Sequence, residues 1–164
     1  MTKAVLNSSV IIALSTLGYL DKLRHIFAEV LVARAVYEEI CVGGCGLIGE
    51  RELLDAVNNG LIVVGEVKNR LLVDALLDPL AMGEAETIAL AVEEEANCIV
   101  IDEKLARKRA KSMGLNVIGT LRVLRLMYDA KLIGKPEIPE ALEKLRETGF
   151  RIGDEVIARA LRQL

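Results

Sequence analysis

Oxygen-bearing side chains recur at a few joints of the chain. Asn7, Ser8 and Ser9 interrupt "AVLNSSVIIAL", Glu38 and Glu39 lie in "AVYEEI", Glu84 and Glu86 open "GEAETIALA", and Asp102 and Glu103 close the apolar run "IVIDE". Each has an ordinary structural explanation. Asn7 or Ser8 can cap a following helix, Asp102 can cap one that begins at Glu103, and acids in a first turn complement the helix dipole. As a set they ask for more, because carboxylates gathered in one place repel one another. The usual reason to tolerate that is a divalent cation with oxygen ligands. Asn7 is the odd member: its carbonyl oxygen can ligate a hard cation, but it is neutral and binds more weakly than a carboxylate.

Other chemistries find little support. His25 is the sole histidine and has no motif around it, so a Ser-His-Asp or Cys-His arrangement lacks its parts. Cys41, Cys45 and Cys98 are odd in number and have no neighbouring His to complete a zinc site. The glycine-rich "VGGCG" has no Lys-Ser/Thr sequel, so it reads as a flexible connection rather than a phosphate loop. A phosphoryl-accepting receiver site would need paired acids early in the chain, where strand one offers Asn7.

The elements that must position these residues follow from hydrophobic periodicity. "KAVLN", "EVLVA", "LIVVG", "CIVID" and "LNVIG" read as short apolar strands. "SSVIIALSTL", "LDKLRHIF", "ARAVYEEIC", "ERELLDAVNNG", "KNRLLVDALL", "GEAETIALAVEEEA", "EKLARKRAKSMG" and "TLRVLRLMYDAKLIG" read as helices between or after them. Alternation of this kind implies parallel pairing through right-handed crossovers, hence a three-layer α/β/α sandwich with a central parallel sheet. Residues 1–135 make that α/β domain, and 136–164 add terminal helices packed on it. In an open parallel sheet, ligands bind beyond the carboxyl ends of the strands. That rule brings together Asn7 to Ser9, Asp102 with Glu103, and Gly119 with Thr120.

Charge and composition bound the partners. With 52% hydrophobic residues, a net charge of −3 and no apolar run near the roughly 18 residues that span a bilayer, the chain reads as a cytoplasmic globule. It is too acidic to hold nucleic acid by overall charge. A local patch exists, however. Lys104, Arg107, Lys108 and Lys111 recur at helical spacing and share a face beside the acids, with Arg109 off to the side. A solvated helix face is the plainer reading of that stripe. The aliphatic excess, with only two Phe, three Tyr and no Trp, points to a surface hidden in a homodimer, or simply to a dense core.

The ordered set "VLNSSVIIAL", "AVYEEI", "GEAETIALA", "IVIDEKLARKRAKSMGLNVIGT" and "AKLIG" resembles the PIN-domain family, and within it a prokaryotic PIN-like subfamily with a Gly-Glu-Ala-Glu helix. The resemblance covers nearly the whole chain. It implies an acidic site that binds Mg²⁺ or Mn²⁺ and cleaves single-stranded or structured RNA, often in a dimeric toxin paired with an antitoxin protein. The family's acids fall on Asn7, Glu39, Glu84 and Asp102, with Glu103 as a further metal ligand and Glu86 an alternate in register. Ser9 takes the small hydroxyl position, and Ser9, Lys104, Arg107, Lys108 and Thr120 face the substrate. Asn7 departs from the Asp that active members usually carry. Three functions therefore stand at this stage: a metal-dependent ribonuclease, a catalytically impaired module that binds RNA or protein, and a nucleotide- or small-molecule-binding α/β protein.

Overall fold

The computed structural model describes residues 2–162. Five short strands, β1 (Lys3–Leu6), β2 (Glu29–Ala33), β3 (Ile62–Gly65), β4 (Cys98–Val100) and β5 (Val117–Ile118), form one sheet in the order β3-β2-β1-β4-β5. All four pairings are parallel. The chain first builds outward from β1 through β2 to β3, then returns to the other side of β1 for β4 and β5. That reversal leaves a crevice between the carboxyl ends of β1 and β4, the place where doubly wound sheets bind ligands.

Helices cover the sheet: α1 (Ser8–Leu17), α2 (Arg34–Cys41), α3 (Glu50–Asn58), α4 (Arg70–Leu76), α5 (Met82–Glu93), α6 (Lys104–Ser112), α7 (Thr120–Asp129), α8 (Glu137–Glu147) and α9 (Asp154–Arg162). The architecture is a three-layer α/β/α sandwich. Helix α5 lies across β1, β2 and β4, and its run from Ala85 to Ala91 is wholly buried. A helix apolar on nearly every side belongs in a core. Helix α8 docks on α1 through Ile138, Ala141, Leu142 and Leu145, and α9 packs on α8.

"LDKLRHIF" departs from the expected α-helix. Leu20–His25 is a 3₁₀ helix. The reason is legible afterwards: Leu20, Leu23 and Ile26 recur every third residue, and only the tighter helix stacks positions i and i+3 on one side. Leu20 and Leu23 are buried there.

The middle of the sheet is dry, with Val5, Leu6, Ile99 and Val100 fully inaccessible, whereas Val63 on edge strand β3 is 56% exposed. Truncating Ile99 to Ala should cost about 2–5 kcal/mol of unfolding free energy. Truncating Val63 to Ala should stay within about 0.5 kcal/mol. Urea denaturation of both variants measures the contrast, and equal losses would contradict the placement of the strands.

Candidate active site

The crevice is framed by backbone pairing. Leu6 lies opposite Val100 in the β1–β4 register, and the Asn7 amide donates to the Val100 carbonyl at 3.0 Å, extending the pairing by one residue. Asn7 occupies the position just before α1, yet its side chain makes no capping bond there. It is 2% exposed and turned into the crevice, where its Nδ2 donates to Glu103 Oε2 at 3.1 Å. The other atom of that amide is short of a donor. Thr87 Oγ1 is 3.4 Å from Asn7 Oδ1 but 2.6 Å from the Gly83 carbonyl, and its single proton belongs to the shorter contact.

Beside Asn7, the Ser8 hydroxyl donates to Glu39 Oε2 at 2.9 Å. The backbone of Gly83 separates the two. A Cβ on Gly83 would stand 2.8 Å from Glu39 Oε2 and 3.9 Å from Asn7 Oδ1, so glycine is what lets the Glu39 carboxylate approach α5 here. One residue on, Glu84 accepts from the Ala81 amide at 3.1 Å, closing the first turn of α5. Burial pushes the Glu84 carboxyl above its usual range; the Ala81 bond opposes that rise, and the charges of Glu103 and Glu39 add to it.

Asp102 does not cap α6, as the plain structural explanation had it. Its Oδ1 accepts from the Thr120 amide at 2.9 Å and its Oδ2 from the Thr120 hydroxyl at 2.7 Å, so it caps α7 across the end of the sheet. Burial raises its pKa, against the two Thr120 bonds, with Glu103 adding to the rise and Arg107 reducing it. Gly119 makes room for this contact, since a Cβ there would lie 2.8 Å from Asp102 Oδ1.

Asn7, Glu39, Glu84 and Glu103 thus form a connected group around the end of β1, with Asp102 at its flank beside Glu103. Glu86 takes another path. It is 6% exposed and accepts from the Ala35 amide at 3.0 Å and from Arg70 at 2.8 Å, tying α5 to the first turn of α2 and to α4. Thr120, expected to face substrate, is fully inaccessible and directs its hydroxyl to Asp102. Ser9 lines the crevice, with a buried hydroxyl that has no hydrogen-bond partner.

The crevice opens into a cleft of about 950 Å³. Lys104 and Arg107 line it next to Asp102 and Glu103; Arg107 also donates to the Ile101 carbonyl at 2.8 Å. Lys108 and Lys111 are exposed farther along α6 and do not line the cleft. The lining is completed by Arg122 and the turn Gly149–Gly153, none of them among the site residues expected from the sequence. Their one local signal is "GFRIG", an aromatic and a cation held between glycines where two helices meet.

The family model DUF3368, PIN domain, matches residues 3–164. The chain belongs to the PIN-domain family. Its fold is similar to that of a PilT N-terminus domain protein from the hyperthermophilic archaeon Sulfolobus solfataricus P2, at 18% identity and a TM-score of 0.51, over 78% of this chain and 92% of that one. A domain of a functionally unknown protein from Methanocaldococcus jannaschii DSM 2661 aligns at 16% identity and a TM-score of 0.47, over 73% of this chain and 91% of that one. Curated proteins offer no match. At such identities the structural likeness concerns the fold alone.

PIN domains generally use divalent metals. The donors here fit a hard cation in kind: they are all oxygens, and the buried Asn7 Oδ1 accepts only a long contact, 3.4 Å, from Thr87 Oγ1. The set is sparse, because among the described residues no three His, Cys, Asp or Glu side chains are grouped so as to hold a metal ion.

Gly83→Ala separates the site from the scaffold. Alanine suits a helix better than glycine by about 1 kcal/mol, and exposed Glu39 can swing away, so stability should hold or rise. Affinity for Mn²⁺ by calorimetric titration should nevertheless fall; unchanged affinity would remove Gly83 and Glu39 from any metal site.

The raised pKa of Glu84 has a definite sign. A carboxyl whose folded pKa exceeds its unfolded one adds stability below the unfolded value and loses it as pH rises through the folded one, so ionised Glu84 costs stability at neutral pH. Glu84→Gln keeps an acceptor for the Ala81 amide and removes the charge. Its melting temperature should exceed the parent's at pH 7 without metal, and the difference should shrink below about pH 4. A variant that melts lower at pH 7 would contradict the crowding of these acids.

Proposed function

We propose that this PIN domain is a divalent-metal-dependent endoribonuclease acting on single-stranded or structured RNA. The observation that carries the reading is the buried Asn7 at the end of β1, linked through its Nδ2 to Glu103, which lines a cleft together with the cations Lys104 and Arg107. Asn7, Glu39 and Glu103 would hold the ion, with Glu84 within electrostatic reach of both acids. Asp102 stands beside Glu103 with its carboxylate oriented by Thr120, the kind of fixed partner that tunes a ligand set. When bound, Mg²⁺ or Mn²⁺ polarises a phosphoryl oxygen and makes water a stronger nucleophile.

The chain's own groups do the rest. Lys104 and Arg107 hold phosphates flanking the scissile one. Glu84, as the carboxylate that burial makes more basic, accepts a proton from the attacking water as the water oxygen bonds to phosphorus. The bond from phosphorus to the ribose oxygen breaks, and that oxygen takes its proton from solvent.

One observation favours a second reading, a PIN-like module that binds RNA or protein without cutting. The Asn7 amide presents N–H to Glu103, a neutral contact that quiets one carboxylate with no ion at all. Either reading accommodates a homodimer or an antitoxin partner, with exposed Ile12, Val42, Leu47 and Ile48 as the apolar surface on offer.

Asn7→Asp decides between the two. It replaces the N–H facing Glu103 with an oxygen, so the metal-free protein should melt lower. With the added charge, Mn²⁺ affinity should rise on the order of tenfold, about 1.4 kcal/mol, and cleavage of a single-stranded RNA should strengthen or appear. Binding and cleavage indistinguishable from the parent would overturn the catalytic reading of this strand end.

A further inference from the structure

We infer that the turn between α8 and α9 is a base-stacking wall for single-stranded RNA, with Phe150 as its platform and Arg122 and Arg151 as its phosphate contacts. The inference rests on the nuclease reading and deepens it, because it names where the strand lies once a phosphate sits at the acids.

The chain has two phenylalanines. Phe27 is a core residue, 4% exposed, whereas Phe150 is only partly buried and lines the cleft. Its position is set by the end of α8: Gly149 adopts φ +89°, and the Phe150 amide then donates back to the Leu145 carbonyl at 3.0 Å. A left-handed residue followed by such a back-bond is a helix stop that fixes the direction of the next side chain. The ring therefore packs on the core with one part and lines the cleft with the rest.

The surroundings select the ligand. Lys104, Arg107, Arg122 and Arg151 all line the cleft together with Phe150. Among the described residues no carboxylate forms an ion pair with Lys104, Arg107, Arg122 or Arg151. An aromatic surface in a cleft that also presents four cations suits a strand with splayed bases and a continuous phosphate backbone. A duplex keeps its base faces stacked away, so it has nothing to place on Phe150. The volume of about 950 Å³ lies at the upper end of the roughly 300–1,000 Å³ of small-ligand sites, which leaves room for more than one nucleotide.

The test uses the full chain with fluorescein-labelled single-stranded and duplex RNA of equal length, read by anisotropy in EDTA. Phe150→Leu keeps an apolar side chain and removes the stacking face. It should weaken single-strand binding about 5- to 150-fold, the range expected for one lost stack, and leave duplex binding in place. Arg151→Gln should weaken binding across sequences and flatten its salt dependence.

The chain lacks tryptophan, so Phe150→Trp supplies a single emitter that should retain affinity and be quenched by oligouridylate. That readout decides the matter even if the leucine variant folds poorly. Unquenched emission with bound RNA, or equal losses on single strand and duplex, would overturn the inference. If Phe150→Leu binds and cuts like the parent while Glu103→Gln abolishes cutting, the wall fails and the nuclease reading stands. A parent protein that binds no single-stranded RNA sinks both.

Discussion

Repulsion among Glu39, Glu84, Glu103 and Asp102 organises the end of this sheet. Each carboxylate that the fold carries there meets its own proton donor: Glu39 the Ser8 hydroxyl, Glu84 the Ala81 amide, Glu103 the Asn7 amide and Asp102 both donors of Thr120. A net hydrogen bond to a charged group is worth about 1.5–3 kcal/mol. Such bonds offset part of the electrostatic cost; the pKa values of Glu84 and Asp102 stay raised, first through burial and to a lesser extent through the neighbouring acids. What remains is a local excess of negative charge that a cation would relieve.

The donors come from elements far apart in sequence, which makes the site a product of topology. Asn7 reaches Glu103 because β4 is inserted beside β1, and Asp102 reaches Thr120 because β5 follows on the outer side. Gly83 and Gly119 serve the same end, since each stands where a Cβ would lie 2.8 Å from a carboxylate oxygen of the group. The scaffold thus yields backbone volume at the two points where α5 and the start of α7 pass the acids.

Much of this was legible in the amino-acid order. Alternation of apolar strands with helices fixes a parallel sheet, and the strand ends then name Asn7, Asp102 and their neighbours without any motif. Side-chain partners were not legible. Glu84 and Glu86 stand two residues apart, which on a helix turns them about 200° from each other, and sequence alone does not say which side faces the crevice. Thr120 looked like a substrate contact because its strand ends at the right edge, but its hydroxyl is committed to Asp102 within the fold. Phe150 has only its flanking glycines as a local signal. Its role at the cleft depends on the left-handed stop at Gly149, a local backbone event followed by a long-range approach that periodicity does not encode.

Asn7 joins the scaffold of the sheet to the acid group. A helix-capping Asn would direct its side chain at the first-turn amides of α1, and this one does not. Its burial is matched by one good hydrogen bond, to Glu103, and by a long contact, 3.4 Å, from the Thr87 hydroxyl to its oxygen. A buried carbonyl oxygen without a donor costs free energy unless something occupies the other side. The neutral side chain therefore joins two opposed demands: it quiets Glu103 with a proton that an aspartate would lack, and it keeps the oxygen that a hard cation could use. Whichever of these the molecule exploits, the amide has to stay at the end of β1, because the Val100 pairing holds its backbone at the one point between Glu39 and Glu103.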